Sequence, residues 1–251
     1  MNTKIGVFDS GIGGITVLKE CIKKCPNFSY IYYSDSKNNP YGEKNESELI
    51  SIVDNIVTKL IAMGCKIIVI ACNTASGVCV NYLRDKYKDI IFIAIEPAIK
   101  VSYDKSVKGA TLVMATKATL NSDKFSNLYS RFKDSKKYYL LECNGLAHLI
   151  EINDKKRVQE YLEKNLSKYR NKVDSVVLGC THYPLIKGEI RKVLGNIVFY
   201  DGSEGLSNRL QKLIKDNKVI ENDFNIIFID SSNDMEKKKC FFDLLDQKDK
   251  L

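Results

Sequence analysis

Two cysteines stand where a sulfur could exchange protons with a substrate. Cys72 follows the apolar run 66–71 and opens Cys72-Asn73-Thr74-Ala75-Ser76, and Cys180 follows the run 175–178 within Gly179-Cys180-Thr181-His182-Tyr183-Pro184. A cysteine at the end of a buried strand, at the turn into a helix, lies near unpaired backbone N–H groups and the positive end of a helix dipole. That setting lowers a thiol's pKa and favours the thiolate. Two such thiols facing each other suit one kind of chemistry, in which a proton is removed from one face of a carbon and another is returned to the opposite face, with roles exchanged according to substrate handedness. A proton alpha to a carboxylate is only weakly acidic, so donors must stabilise the charge that develops. Ser10, Asn73, Thr74 and Thr181 are neutral donors near expected helix starts that could cradle carboxylates. Asp9 could orient a substrate ammonium or relay a proton near one cysteine, and His182 could do the same near the other.

The elements that would carry these residues follow from apolar patterning. Short runs rich in Val, Ile, Phe and Tyr recur at 4–8, 29–34, 66–71, 90–95, 110–115, 137–141, 175–178, 196–200 and 225–229. They read as strands, several fully buried. Helical spacing fills 47–63, 75–86, 123–133, 156–169, 184–194 and 204–215. Strand and helix alternate, which predicts an α/β fold with mostly parallel sheets and ligands beyond the carboxyl ends of the strands. At those ends stand Asp9-Ser10-Gly11-Ile12-Gly13-Gly14 and Thr116-Lys117-Ala118-Thr119, besides the two cysteine motifs. Asp9 and Cys72 are 63 residues apart, and Thr116 and Cys180 are 64 apart. The near-equal offsets predict a duplication, with a first α/β domain over 1–96 plus 209–251 and a second over 97–208, each offering one strand-end cysteine. The glycines of 11–14 match neither G-x-G-x-x-G nor G-x-x-x-x-G-K-[ST], and an acid at the strand end would repel phosphate. Pro40-Tyr41-Gly42 closes a turn-rich stretch whose glycine could expose backbone N–H groups to a small ligand.

Composition narrows the setting. The chain has 251 residues, 44% hydrophobic and 28% charged, an ordinary globular balance that excludes a disordered or fibrous protein. Lys and Arg outnumber Asp and Glu by 39 to 31, yet the lysines are spread out, and the compact block Lys237-Lys238-Lys239 has acidic neighbours. This reads as a solvated surface rather than a nucleic-acid footprint. No apolar run approaches the ~18–20 residues of a membrane span, and no secretory signal is expected from the opening residues. The eight cysteines are far below the ~8–10% of a disulfide scaffold, so a reduced, cytoplasmic protein is expected. With two histidines and no Cys-x-x-Cys pair, no metal site is expected. Cys21 and Cys25, one helical turn apart, read as packing residues. The 14 tyrosines leave a homodimer interface open, although such aromatics more often fill a core.

Taken together, the motifs resemble the glutamate racemase branch of the aspartate/glutamate racemase superfamily. The match is carried by residues 6–14, Pro40-Tyr41-Gly42, 71–76, Glu96-Pro97-Ala98 and 179–185, in the family's order. The resemblance implies two pseudo-symmetric α/β domains closing over the amino acid. It also implies a cofactor-independent isomerase that interconverts L- and D-glutamate and supplies D-glutamate for peptidoglycan. By the same resemblance Cys72 and Cys180 are the acid/base thiols, assisted by Asp9 and His182. Ser10, Pro40, Tyr41, Gly42, Asn73, Thr74, Thr116, Thr119 and Thr181 hold the substrate, with Asp9 and His182 beside them, and Asp35 and Glu151 match acids near the cleft. Asn144, in Glu142-Cys143-Asn144-Gly145-Leu146, stands where the family commonly has proline.

Other readings keep the fold and change the chemistry. One is a racemase of the same superfamily acting on aspartate or another amino acid. Another is a hydrolase with a single nucleophilic cysteine and His182 as base, or a decarboxylase with one cysteine as proton donor; both leave the second thiol unexplained. A non-enzymatic binding role would draw on the net charge of +8 and on the gyrase binding of some glutamate racemases.

Overall fold

The structure is a computed structural model and describes residues 3–105 and 109–246. Its elements are β1 (Lys4–Asp9), α1 (Ile15–Lys24), β2 (Ser29–Ser34), α2 (Glu46–Ala62), β3 (Cys65–Ile70), α3 (Asn73–Lys86), β4 (Ile91–Ala94) and α4 (Ile99–Lys105). There follow β5 (Thr111–Ala115), α5 (Lys117–Leu120), α6 (Asp123–Ser130), β6 (Tyr138–Glu142), α7 (Leu146–Glu151), α8 (Lys155–Leu166) and β7 (Ser175–Gly179). The chain continues through α9 (Lys187–Leu194), β8 (Val198–Tyr200), α10 (Ser203–Asp216), β9 (Asn225–Asp230) and α11 (Met235–Asp246).

The strands form two sheets, ordered β4-β3-β1-β2-β9 and β8-β7-β5-β6, and every pairing among the described residues is parallel. Leaving β9 aside, the two orders are the same plan written twice, which is the repeat that the matched offsets suggest. β9 adds to the edge of the first sheet beside β2, so the end of the chain returns to the first half.

Alternation along each strand sends side chains to two faces. Ile5 and Val7 of β1 point with Tyr30 and Tyr32 into a core closed by α1, α10 and α11, whereas Phe8, Ile31, Ile68 and Ile70 meet α2 and α3 on the other face. The second sheet repeats this: Leu112, Met114, Val176 and Leu178 face α7, α8 and α9, and Val113 and Val177 face α4 and α6. Helix α2 shows why a segment takes its shape. Asn45 caps it by accepting from Glu48 N–H at 2.9 Å, and Leu49, Val53, Ile56, Val57 and Leu60 form one buried stripe.

The expected helix over 123–133 ends at Ser130, and that over 156–169 ends at Leu166, followed by a 3₁₀ turn. The segment 184–194 opens with a 3₁₀ turn, Tyr183–Ile186, because Pro184 can stand only in a helix's first turn. Residue 209, where the expected boundary falls, is inside α10, and Leu206, Leu210 and Ile214 of that helix all pack in the first sheet's core. Cys21 and Cys25 are buried in the same core as packing residues.

Candidate active site

The register of the two sheets decides what meets at their carboxyl ends. Phe8 pairs with Ile70, and Ala71 N–H donates to Phe8 O at 2.9 Å, so Cys72 leaves its strand level with Ser10, one residue beyond Asp9. Ala115 pairs with Gly179, which places Thr116 and Cys180 at the matching level of the second sheet. Cys72 is the N-cap residue of α3. A cavity of about 30 Å³ lies between these ends and is lined by both thiols. Ser10, Pro40, Tyr41, Gly42, Asn73, Thr74 and Thr116 line it as well. That volume holds one or two waters, so an amino acid requires a wider cleft than this one.

The two thiols have different surroundings. Cys72 donates to Ser10 Oγ at 3.9 Å. Burial, and then the charge of Asp9, push its thiol well above the ordinary value, outweighing the hydrogen bonds from the Ala75 backbone and Ser10. Burial thus works against the downward push that the strand-end setting suggests in the sequence. Cys180 Sγ lies 3.8 Å from His182 Nδ1, close enough to exchange a proton with the ring. His182 Nε2 donates to Glu151 Oε2 at 2.7 Å. Burial opposes charge on His182, but its hydrogen bonds with Cys180 and Glu151 prevail and hold the ring well above its usual range. Burial would likewise raise Glu151, but the hydrogen bond and charge of His182, the Ile12 N–H at 3.0 Å and Lys237 at 3.2 Å together pull it down to about 2.

Asp9 stands behind the cavity wall. Its Oδ1 accepts from Thr181 at 3.1 Å, and Oδ2 accepts from Gly11 N–H at 3.2 Å and Gly14 N–H at 3.0 Å. Burial raises its carboxyl above the usual value despite His182 and these donors. Thr74 shares hydroxyl hydrogen bonds with Thr116 at 2.9 Å and Thr119 at 3.4 Å, a polar seam joining the starts of α3 and α5. Asp35 does not line the cavity. It accepts from Tyr41 OH at 2.6 Å and from Asn38 Nδ2 at 3.0 Å, and so fixes the loop that carries Pro40 and Gly42. Asn73 Oδ1 and Asn39 Oδ1 are buried with no hydrogen-bond partner, and both residues line the cavity. Unpaired buried acceptors are costly, and a ligand's N–H donors would satisfy them.

The glycines after β1 explain themselves by close approach. A Cβ on Gly11 would overlap the Glu151 carboxylate, and one on Gly13 would come within 2.7 Å of His182 Nδ1. Their role here is to let the His182–Glu151 pair of the second half seat against the first. Sequence reasoning missed Asn39, Ala147 and His148 in the wall, as well as Lys237 behind it. It marked Cys143, Asn144 and Gly145 only as a departure from the family pattern, yet all three line the cavity. The strand-end rule that picked out Cys72 and Cys180 would have found them, since they directly follow β6.

Comparison with known proteins agrees with this geometry. The profile of the Asp/Glu/Hydantoin racemase family matches residues 16–204. A glutamate racemase from Clostridium perfringens (strain ATCC 13124) is 42% identical over 242 residues, covering 95% of this chain and 93% of that one. A glutamate racemase isoform from Bacillus anthracis superposes with a TM-score of 0.85 at 26% identity, covering 98% of this chain and 95% of that one. The Escherichia coli glutamate racemase, solved with L-glutamate and the activator UDP-MurNAc-ala, gives 0.84 at 27% identity, with 98% and 96% covered. With the family profile spanning three quarters of the sequence and the 42% identity extending over nearly all of it, the chain belongs to the Asp/Glu/Hydantoin racemase family, in its glutamate racemase branch.

Proposed function

We propose that this chain interconverts L- and D-glutamate without a cofactor, using Cys72 and Cys180 as the two acid/base groups. The supporting observation is that both thiols border one cavity and each is backed by its own polar relay. Ser10 and Asp9 stand behind Cys72, and His182 and Glu151 behind Cys180. In each turnover one sulfur, as thiolate, takes the α-proton: the C–H bond breaks, an S–H bond forms, and the electron pair stays on the α-carbon, delocalised into the carboxylate. The opposite thiol then gives its proton to the other face of that carbon, leaving a thiolate for the return reaction. Thr74 and Thr116, which line the cavity, supply hydroxyls for the substrate carboxylates, backed by Thr119 through Thr116 and by Thr181 on Asp9, and the unpartnered amide oxygens of Asn73 and Asn39 accept from its ammonium. Buried Asp9 and charged His182 set the proton balance of the two sulfurs. On this reading Ser10, Pro40, Tyr41 and Gly42 shape the wall around the bound amino acid.

Similarity to glutamate racemases supports the choice of glutamate, the supply of D-glutamate for peptidoglycan and a cytoplasmic setting. No helix among the described residues is long and apolar enough to cross a membrane. The same reading has two domains that open to admit substrate, expected over 1–96 with 209–251 and over 97–208; the packing of Leu206, Leu210 and Ile214 of α10 in the first sheet's core favours a second crossing just before Ser203. A hydrolase or decarboxylase with one working cysteine leaves the second thiol without a role. The test is turnover of L- and D-glutamate by Cys72→Ser and Cys180→Ser. Each variant is expected to lose at least about 10²-fold in kcat, because a serine hydroxyl is a far weaker acid and a poorer proton carrier than a thiol. A Cys180→Ser protein with near-normal turnover would refute the two-thiol mechanism.

A further inference from the structure

The lysine block 237–239 looks like solvated surface in the sequence, but one of its members turns inward. Lys237 Nζ lies 3.2 Å from Glu151 Oε1, and the Glu151 side chain is only 4% exposed. The other oxygen of that carboxylate is already taken, receiving His182 Nε2 at 2.7 Å and Ile12 N–H at 3.0 Å. Lys237 thus fills the remaining side of a buried anion that holds the imidazole facing Cys180. The lysine is itself held in place. Four residues along α11, and so on the same helix face, Phe241 is fully buried with its ring 5.0 Å from Tyr32 and 4.3 Å from Phe228. Tyr32 in turn donates to Gly11 O at 2.7 Å, inside the glycine turn that receives Glu151. At the start of the helix Asp234 Oδ1 accepts from Glu236 N–H at 2.8 Å and fixes its first turn.

The contact also joins the two halves of the molecule. Helix α11 packs on the first sheet, whereas Glu151 ends α7 beside the core of the second. We propose that Lys237 is a positioning residue for the Cys180 half of the reaction: from the C-terminal helix it clamps the Glu151 carboxylate across the cleft and thereby keeps His182 aligned on Cys180. This rests on the two-thiol reading above. It gives the end of the chain a role in the reaction, and it makes that role one-sided, because among the described residues Lys237 bonds Glu151, on the Cys180 side, and neither Ser10 nor Asp9 beside Cys72.

One-sidedness gives the test. Lys237→Met keeps the length of the side chain and removes the cation, Lys237→Arg keeps the cation, and exposed Lys238→Met serves as a control for charge alone. For each protein kcat/KM is measured with L- and D-glutamate, unlabelled and deuterated at the α-carbon, alongside a thermal melt. Lys237→Met should lower kcat/KM about tenfold for both enantiomers equally, since their equilibrium constant is fixed by symmetry, and this corresponds to losing one charge-assisted hydrogen bond. The deuterium effects should then separate. The effect rises for the enantiomer whose α-proton faces Cys180, because that transfer becomes more rate-limiting, and falls for the other. Lys237→Arg should restore both rates and isotope effects, and Lys238→Met should match wild type. Wild-type behaviour of Lys237→Met, isotope effects that move in the same direction for both enantiomers, or failure of arginine to restore them would each overturn the proposal. A wild-type protein that converts neither enantiomer would overturn the racemase reading itself.

Discussion

Replacing Gly13 with alanine tests whether the glycine turn serves to admit His182. A Cβ at this position would lie 2.7 Å from His182 Nδ1 and 2.8 Å from the His182 backbone nitrogen, about 0.7 Å inside ordinary van der Waals contact. The ring could rotate away, but the backbone nitrogen cannot, so the turn carrying Thr181 and His182 has to shift. A displacement approaching 1 Å at a proton-transferring group costs up to ~10²-fold in rate, or about 3 kcal/mol of barrier. The clash itself costs about 1–3 kcal/mol of stability, more than the roughly 0.4–1 kcal/mol that alanine gains through a less flexible unfolded chain. Gly188, in α9, is the matched control, because a Cβ there meets nothing within 4 Å. Glutamate racemisation followed by circular dichroism, together with thermal melts, should show kcat/KM reduced about 10²-fold in Gly13→Ala. Gly188→Ala should be fully active and slightly more stable. A Gly13→Ala protein that melts normally and keeps kcat/KM within about threefold of wild type would refute this account of the turn.

Glu151 makes acid sensitivity specific. Its carboxyl is held at about 2 against an ordinary 4.5, so its contribution to stability is complete above pH 4.5 and disappears as pH falls toward 2; the shift corresponds to about 3 kcal/mol. Denaturant midpoints at pH 5 and pH 3 should therefore fall less between the two conditions in Glu151→Gln than in wild type. Asp9, shifted upward by burial, contributes with the opposite sign in both proteins, and identical slopes would contradict the assignment. Tyr41→Phe removes the 2.6 Å hydrogen bond to the buried Asp35 carboxylate and leaves Asn38 as its remaining side-chain partner. It should cost about 1–3 kcal/mol of stability and raise KM more than it lowers kcat, because the loop 39–42 shapes the cavity wall; steady-state kinetics and melts check both effects.

The nine strands among the described residues were legible because buried parallel strands appear as short β-branched runs, and Val7, Ile68 and Val113 announce them directly. The repeated strand order was foreshadowed by the spacing of Asp9, Cys72, Thr116 and Cys180. The ends of helices were less legible: Ser130 and Leu166 end helices where the apolar pattern continues into turns. In the site, both thiols and the Thr74, Thr116 and Thr119 hydroxyls could be read from motifs that follow strands. The linkage of Glu151 to Lys237 could not, since the two residues lie 86 positions apart and meet only because β9 and α11 fold back onto the first sheet. The upward push on the Cys72 thiol was also beyond the sequence, because it depends on how completely burial removes water from the sulfur and on Asp9 beside it.

The central claim is cofactor-free exchange of an α-proton between two thiols. The most direct measurement is proton NMR of the reduced protein in D2O with L-glutamate, then D-glutamate, then L-aspartate, with nothing else added. The account predicts loss of the α-proton signal for both glutamate enantiomers, with the opposite enantiomer forming deuterated at the α-carbon, and little change for aspartate. A folded protein with reduced thiols that leaves the α-proton of both glutamate enantiomers in place would contradict it.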